Sequence, residues 1–226
     1  MRGQVEPHAG SSPVAEGRRC AILDAALRVV ASGGIDAVTH RRVAAEAGVA
    51  LGSTTYYFGS RDEILLEAFR HYIARHNTMV AALADEFPQS DLASFIDLLV
   101  ASTRRQFQDS AMVLAEYELI LFAARNPELA EEYRAWQRTL VGHVAERLER
   151  LGARQPIDAA RTLVAALRGF ELDRLARAEQ SFEEFHRRLE VLLQALLPQR
   201  TKAAPRPRVV RGSASAAPRA TDRRFP

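Results

Sequence analysis

The 226-residue sequence predicts an all-α protein of about nine helices. Apolar residues recur at helical spacing along most of the chain. No run of alternating β-branched residues bounded by turns is present, and such runs are what strands require. At 47% hydrophobic residues the chain can build a substantial core. No apolar run approaches the ~20 residues of a membrane-spanning helix.

The two ends of the chain differ from the middle in composition and charge. Residues 1–17 and 199–226 are rich in Gly, Ser, Pro, Ala or Arg without periodicity, and we expect both tails to be disordered. Residues 199–226 carry a net charge of +7, whereas residues 18–198 carry −3 and, within them, residues 18–61 carry +3. A basic first part followed by an acidic remainder favours one end that faces nucleic acid and a larger end that avoids it. The basic tail either adds salt-sensitive attraction to nucleic acid or is inert.

Cap and stop residues place the first four helices. The first is predicted from Arg18 to Ser32 and stops at Gly33-Gly34, with one apolar face formed by Ile22, Ala26, Val29 and Val30. Thr39 caps the second helix and Gly48 ends it. The third helix is predicted from Leu51 to Phe58. Ser60 and Glu63 form a capping box for the fourth, which continues toward Leu83.

The remaining five helices follow a break at Pro88 and Ser90. The fifth has Leu92, Phe95, Ile96, Leu99 and Thr103 in phase, and the sixth, Ala111 to Ala124, is apolar on most of its circumference and is predicted to be buried. Asn126-Pro127 starts the seventh, which runs to about Leu151 before Gly152. The eighth extends from about Pro156 to Ala178. Ser181 and Glu184 cap the ninth, whose heptad-like stripe contains Phe182, Phe185, Leu189, Leu192, Leu193 and Leu196.

The second and third helices have the pattern of a helix-turn-helix that binds DNA. Gly48-Val49 supplies the turn and an apolar contact between the two helices. Gly52 removes a side chain where the backbone would approach a duplex, and Ser53, Thr55 and Tyr56 offer hydroxyls to phosphates. Arg61 stands in the first turn of the next helix, where a cation is mildly unfavourable for the helix dipole. That position therefore indicates a role other than helix stability.

The segment AGVALGSTTYYFGSRDEIL resembles the DNA-binding motif of the TetR family of bacterial regulators, over about residues 18–70. The family pattern is roughly A-G-V-S-x-G-x-L-Y-x-Y-F followed by x-[SN]-K-[ED]-x-L. The resemblance implies a helix-turn-helix domain over residues 18–63 and a helical effector-binding and dimerisation domain over residues 64–198. It also implies that Thr39, Thr55, Tyr56 and Arg61 hold phosphates. Leu51, Gly52 and Ser53 would face base edges, with His40 and Arg41 beside them.

The chain departs from the family pattern at four positions. Ala50 replaces a capping serine, so the cap of the third helix is weak or comes from elsewhere. Thr54 stands where a leucine usually packs, and Thr55 stands where a phosphate-binding tyrosine is usual, so Tyr56 would carry more of that contact. Arg61 replaces a lysine and keeps the charge. Leu51 is not a departure, because it occupies a variable position of the pattern where family members often carry a longer polar side chain. We expect its apolar side chain to contact a thymine methyl group.

The resemblance further implies a homodimer in which the last two helices pair with their copies. Two recognition helices ~34 Å apart would then require a near-palindromic operator. Gly169 would permit close approach of helices. Alternatively, the ninth helix packs only within its own chain. The predicted interface residues are Leu163, Leu167, Phe170, Phe185, Leu189, Leu192 and Leu196.

A ligand pocket is expected, by resemblance, among the fourth to eighth helices. The predicted lining is apolar with a few polar points, which suits an amphipathic organic effector. Glu116, Glu118 and Arg168 interrupt apolar runs, and they either pair with one another or bind a ligand. The candidate lining residues are Phe95, Leu99, Thr103, Phe107, Tyr117, Leu121, Tyr133, Trp136, His143 and Arg168.

The interpretation that follows is a cytoplasmic DNA-binding regulator, most simply a repressor released by a small ligand. An activator or global regulator without an effector, a helical adaptor that binds only protein, and an enzyme are the alternatives. The sequence has no nucleophile elbow, no phosphate-binding glycine loop and no zinc-ligand spacing, so we expect neither catalysis nor a cofactor. The single cysteine, Cys20, excludes an internal disulfide and is either a packed thiol or a redox sensor.

Overall fold

The protein is described by a computed structural model that covers residues 13–87, 91–177 and 181–197. Within these ranges the chain forms nine α-helices and two short 3-10 turns, which confirms the all-α prediction. The first four helices are α1 Pro13–Gly33, α2 His40–Ala47, α3 Leu51–Tyr57 and α4 Arg61–Glu86. The other five are α5 Leu92–Gln106, α6 Ser110–Ala123, α7 Pro127–Arg150, α8 Pro156–Arg177 and α9 Phe182–Leu196.

Side-chain caps begin most of these helices where the sequence places them. Thr39, Ser60 and Ser181 accept hydrogen bonds from backbone N–H groups at the third helical position, and Asn126 does so ahead of Pro127. Gly48 and Gly152 adopt positive φ angles of 65° and 94° where α2 and α7 end. Such a backbone is costly for any residue with a Cβ, which explains glycine at both positions.

Two expectations about the helices need correction, and one helix cap was not predicted. The first helix begins at Pro13, so residues 13–17, predicted to be disordered, are helical. Asp91 caps α5, with its carboxylate accepting the backbone N–H of Ser94 at 2.8 Å. α6 is not buried on all sides, because Leu114 and Leu121 are exposed. The remaining parts of both predicted tails, and the predicted breaks at Pro88 and Ser90, lie outside the described residues.

Two apolar cores organise the molecule. The first joins α1, α2 and α4 to α6 and α7, with Phe58, Phe69 and Leu119 among its fully buried members. The second joins α5, α7, α8 and α9. The first core therefore crosses the predicted domain boundary at residues 63–64, and the N-terminal helices pack directly on α6. None of the helices in the described ranges combines the length and apolar character that crossing a bilayer requires.

Candidate nucleic-acid interface and internal cavity

The turn between α2 and α3 has the geometry of a helix-turn-helix. Gly48 ends α2 in the left-handed region, and the N–H of Val49 donates to the carbonyl of Ala44 at 3.0 Å. Val49 packs on the first core from this turn. Tyr57 and Phe58, at the end of α3, anchor it from the other side. Phe58 is fully buried, and the Tyr57 hydroxyl donates to the carbonyl of Ala15 in α1 at 3.1 Å.

The outer face of α3 carries the residues predicted to contact DNA. Tyr56 is 78% exposed, Leu51, Gly52 and Thr55 are also exposed, and Ser53 is half-buried. The Thr55 hydroxyl donates weakly to carbonyls within its own helix, the nearest being Gly52 at 3.2 Å. Its oxygen lone pairs remain open to another donor. The structure thus places this predicted set on one accessible short helix.

Gly52 has no structural reason within the chain to be glycine. Its φ angle lies outside the positive range in which glycine is favoured. A Cβ built at this position meets no atom within 4 Å beyond its own helix backbone and chain neighbours. Because alanine is a better helix former than glycine by ~1 kcal/mol, the absence of a side chain weakens the helix. The requirement for glycine, if there is one, comes from outside the molecule.

Two of the four departures from the family pattern now have structural consequences. Ala50, the N-cap of α3, makes no side-chain capping hydrogen bond, which confirms that this cap is weak. Thr54 is fully buried, and its hydroxyl donates to the carbonyls of Leu51 at 2.9 Å and His40 at 3.3 Å. Thr54 therefore takes the packing position of a leucine, with its hydroxyl satisfied by backbone acceptors that also tie α3 to α2.

The start of α2 presents the other predicted contacts. Thr39 is exposed, and its hydroxyl oxygen accepts the N–H of Arg42 at 3.1 Å, which leaves the hydroxyl proton free to donate. His40 is half-buried, with a buried Nδ1 that has no partner among the described residues. Arg41 is exposed to solvent.

Arg61 differs from the other predicted contacts. Its guanidinium donates to the carbonyl of Ile35 at 2.8 Å and to the carboxylate of Asp36 at 3.1 Å. It also lies over the ring of Phe122 in α6, 6.0 Å from the centroid. Arg61 therefore connects α4, the 3-10 turn after α1 and the helical domain, and direct phosphate contact would have to use its remaining N–H groups.

A cavity of about 610 Å³ lies between the N-terminal helices and the helical domain. Leu27 of α1 forms part of its wall, and the rest of the wall comes from α4, the end of α5, the following 3-10 turn and the start of α6. This volume lies within the range of small-molecule sites. The lining residues are Leu27, Tyr72, Ala74, Arg75, His76, Thr78, Met79, Arg105, Gln106, Gln108, Asp109, Met112 and Val113.

None of the ten predicted pocket residues lines this cavity. Phe95 and Leu99 are buried in the second core, and the Thr103 hydroxyl donates to the carbonyl of Leu99. Leu121 is 68% exposed and His143 is exposed. Phe107 packs under Arg174, 5.3 Å from the ring centroid. An apolar side chain on a helix can lie in a core, at the surface or in a cavity wall. The periodicity of the sequence does not distinguish these three locations.

The other four predicted pocket residues meet in a buried polar cluster directly behind the cavity wall. We define the acid cluster as Tyr72, His76, Glu116, Tyr117, Tyr133, Trp136, Arg168 and Glu171. Tyr72 donates to Glu116, Tyr117 donates to Glu171 at 2.6 Å, and Arg168 donates to the Tyr133 hydroxyl at 2.5 Å. Arg168 also lies 4.0 Å from a Glu116 oxygen and covers the Tyr133 and Trp136 rings.

Burial shifts the protonation of several of these groups. Burial, with the neighbouring Glu171, raises the pKa of Glu116 to about 8, although Tyr72 and Arg168 oppose the change. Burial also raises the pKa of Glu171. For His76, burial and the charge of Arg168 lower the pKa to about 4. The Trp136 indole N–H is buried and has no partner among the described residues.

Sequence reasoning missed three members of this region as site residues: Tyr72, His76 and Glu171. The signal available was the spacing of Tyr72 and His76, four residues apart on α4, which places both on one face. Their rings lie 6.1 Å apart, and the His76 ring lies 5.5 Å from that of Trp136. Glu118, in contrast, lies outside the acid cluster, with its carboxylate near Gly34.

The predicted dimer residues are mostly internal. Leu163, Phe170, Phe185 and Leu189 are buried in the second core of a single chain, so their side chains are not available at its surface. Phe170 and Phe185 stack with ring centroids 3.7 Å apart. Leu167, Leu192 and Leu196 are half-buried on the same core. Most of the apolar stripe on α9 thus packs within its own chain, and pairing of α8 and α9 with a second copy stays a prediction.

Comparisons with known proteins agree with this geometry. Residues 22–68 match the family model of bacterial regulatory proteins of the tetR family, and residues 90–199 match the C-terminal domain of tetracyclin repressor-like proteins. The HTH-type transcriptional regulator BetI of Agrobacterium fabrum is 31% identical over 157 residues, which cover 69% of this chain and 72% of that protein.

Solved structures are similar over most of the fold. A TetR-family member from Streptomyces coelicolor is 37% identical with a TM-score of 0.61, covering 80% of this chain and 98% of that one. The multidrug binding protein EbrR, in complex with imidazole, is 33% identical with a TM-score of 0.58, covering 86% and 98%. The chain belongs to the TetR family of helix-turn-helix transcriptional regulators.

Proposed function

We propose that this regulator is a homodimeric repressor that leaves a near-palindromic operator when a small amphipathic ligand binds. The observation that carries the DNA-binding half is the outer face of α3, which presents Leu51, Thr55 and Tyr56 around a Gly52 that the fold itself does not need. Short recognition helices that approach DNA closely use such a face for base and phosphate contacts.

The DNA contacts divide by role. Leu51, Gly52 and Ser53 face base edges, with His40 and Arg41 at the side. Thr39, Thr55 and Tyr56 hold phosphates through hydroxyl groups. We assign Arg61 chiefly a positioning role, because it bonds Ile35 and Asp36 and thereby sets the angle between α4 and the helix-turn-helix.

The proposed dimer face is the exposed side of α8 and α9 rather than the buried leucines. On α8 this side is formed by small or apolar residues, and Gly169 has no neighbour within 4 Å of a built Cβ. On α9, Val191 is 69% exposed. Small residues allow the backbones of two helices to approach closely. The proposed face contains Ala165, Ala166, Gly169, Leu172, Val191 and Ala195.

Ligand binding in the 610 Å³ cavity would act directly on the DNA-binding helices. Leu27 belongs to α1, and α4 supplies the cavity residues Tyr72 to Met79, so a ligand that moves this wall moves the base of the helix-turn-helix. Ion pairs from Arg19 through Glu67 and Arg70 to Glu132 also connect α1, α4 and α7. A ligand that binds better when these helices are displaced shifts the population toward the form with misplaced recognition helices.

The ligands of a related protein, EbrR, support the proposal of an amphipathic organic ligand. EbrR, at 33–34% identity, has been solved with proflavin and with ethidium, both planar aromatic compounds. The lining of this cavity combines apolar residues with polar and charged ones, which suits an amphipathic compound.

The experiment is a gel-shift selection from random duplexes with the full chain, followed by thermal-shift screening of hydrophobic compounds. We expect enrichment of a near-palindrome, bound by two subunits, and release by compounds that raise the melting temperature. Failure to prefer any duplex at moderate salt contradicts the DNA-binding proposal. Ligand-insensitive binding contradicts only the repressor-release step.

A further inference from the structure

The acid cluster buries two carboxyl groups, Glu116 and Glu171, but only one guanidinium group, that of Arg168. Its titratable and charged groups come from every helix packed around it: Tyr72 and His76 from α4, Glu116 and Tyr117 from α6, Tyr133 from α7, and Arg168 and Glu171 from α8. Two carboxyl groups thus face a single guanidinium. Burying an unpaired charge is costly, so with both acids ionised the cluster would need one further cation to balance its charge.

Arg168 cannot neutralise both acids. One of its terminal nitrogens donates to the Tyr133 hydroxyl, and another lies 4.0 Å from Glu116, at the limit of an ion pair. His76 does not supply the missing charge, because its lowered pKa keeps the imidazole neutral near pH 7. The His76 Nδ1 also lies 2.8 Å from the side-chain amide of Gln106, a partner that suits the neutral ring.

The cavity meets the acid cluster at a wall made by Tyr72 and His76, which line the cavity on one side and touch the cluster on the other. The Tyr72 hydroxyl donates to Glu116, so the carboxylate lies one hydrogen bond beyond the hydroxyl of a residue that lines the cavity. Leu27, Met79, Met112 and Val113 add apolar or polarisable surface to the lining. Aromatic rings attract organic cations through their faces, and a buried carboxylate nearby adds to that attraction.

The charges at the mouth of the cavity do not reverse this preference. Arg75 is exposed and paired with Asp24. Arg105 is exposed, and its guanidinium donates to the Gln108 side chain at 2.6 Å, next to the exposed Asp109. Exposed charges are screened by water and salt, whereas the buried carboxyl groups act through a medium of lower dielectric constant.

We propose that the cavity binds a lipophilic organic monocation, with its charged centre against the Tyr72–His76 wall and Glu116 as the counterion. This inference rests on the proposed ligand-binding function and specifies the charge of the ligand. Because Glu116 is mostly protonated near pH 7, cation binding breaks its O–H bond. The proton passes to solvent, and the carboxylate remains to pair with the bound cation.

The test uses two probes of the same shape and opposite charge, tetraphenylphosphonium and tetraphenylborate, titrated calorimetrically into the full-length protein. We expect tetraphenylphosphonium to bind at least tenfold more tightly than tetraphenylborate. Its affinity should rise by close to tenfold per pH unit below pH 8 and level off above, since binding is linked to the loss of one proton. Buffers of different ionisation enthalpy should report release of nearly one proton at pH 7.

The matched variants are Glu116→Gln and Glu118→Gln. Glutamine keeps the acceptor for Tyr72 but removes the negative charge, so Glu116→Gln should lose at least tenfold in tetraphenylphosphonium affinity and all of the linked proton release. Glu118 lies two residues away on the same helix but outside the acid cluster, so Glu118→Gln should match the parent protein.

Equal affinity for the two probes, no binding of tetraphenylphosphonium, or unchanged binding by a folded Glu116→Gln protein overturns the inference. If Glu116→Gln does not fold, the probe ratio and the pH profile of the parent protein decide alone. Operator binding is measured in parallel. Tetraphenylphosphonium that binds without releasing DNA contradicts the repressor-release mechanism and leaves the cation site standing. Release by neutral compounds alone contradicts the cation site and leaves the mechanism standing.

Discussion

Substituting alanine for Gly52 separates the stability of the fold from its proposed contact with DNA. In α3 the new methyl group meets no atom within 4 Å outside its own helix backbone and chain neighbours, so no steric cost is expected. Alanine improves helix propensity by ~0.5–1 kcal/mol over glycine. For a chain of this size, a gain of that order raises the melting temperature by roughly 2–4 °C. The variant should therefore be slightly more stable than the parent protein.

The same substitution should weaken operator binding, because a methyl group would stand where the backbone of α3 approaches the duplex. We expect at least a tenfold loss in affinity, equivalent to ~1.4 kcal/mol, measured by fluorescence anisotropy at fixed salt. Gly142→Ala is the matched control. Gly142 lies within α7 and also has no neighbour within 4 Å, so this variant should gain stability without losing affinity. If the Gly52→Ala protein binds the operator as tightly as the parent protein, the assignment of α3 as the recognition helix is refuted.

Three further predictions test the cap, the acid cluster and the dimer face. Ala50→Ser should supply the missing cap of α3, because Ala50 already has the extended backbone of an N-cap. We expect a gain of ~1 kcal/mol in the free energy of urea unfolding. No gain would show that α3 does not need a side-chain cap. Because the pKa of Glu116 is raised, the folded state holds a proton that the unfolded chain has lost. The free energy of unfolding should therefore fall by ~1.4 kcal/mol per pH unit as pH rises from 6.5 toward 8, and it should level off above pH 8. Below 6.5 the lowered pKa of His76 has the opposite sign and offsets this slope, whereas the raised pKa of Glu171 adds to it. Glu116→Gln should therefore reduce the decline measured above 6.5, and an unchanged slope in this variant would contradict the assignment. Val191→Arg should give monomers in light-scattering chromatography, whereas Val14→Arg, at a similarly exposed site on α1, should not; a dimeric Val191→Arg protein would exclude the proposed face.

Features that depend on local chemistry could be predicted from the sequence. Thr39, Ser60, Asn126 and Ser181 cap the helices that follow them, because a short polar side chain satisfies backbone N–H groups only a few residues away. The weak cap at Ala50 could be predicted for the same reason. The start of α1 was missed because the Gly- and Ser-rich composition of the first residues outweighed a real signal, a proline at the first position of a helix.

Features that depend on which surfaces meet could not be predicted from one sequence. The apolar stripe of α9 has the same periodicity whether it packs on a second chain or on its own, and the structure places Phe185 and Leu189 on their own core. The predicted pocket residues show the same difficulty, since none of them lines the described cavity. Phe95 and Leu99 have the composition of a ligand site but fill the second core, whereas the cavity depends on how α1, α4, α5 and α6 are spaced.

The acid cluster is hard to explain by stability alone. Well-packed apolar residues of similar volume would hold α4, α6, α7 and α8 together at least as well as two acids and one arginine. Glu116 is nearly inaccessible, and its pKa is raised because burial, with Glu171 beside it, makes ionisation costly. A group in that state responds to a nearby cation more strongly than any exposed carboxylate can, since the same burial that suppresses its charge also removes the screening by water. The cluster lies next to a cavity whose wall includes Leu27 of α1, the helix on which the helix-turn-helix packs. Under the proposed mechanism, this unfavourable core couples the binding of a charge to movement of that helix.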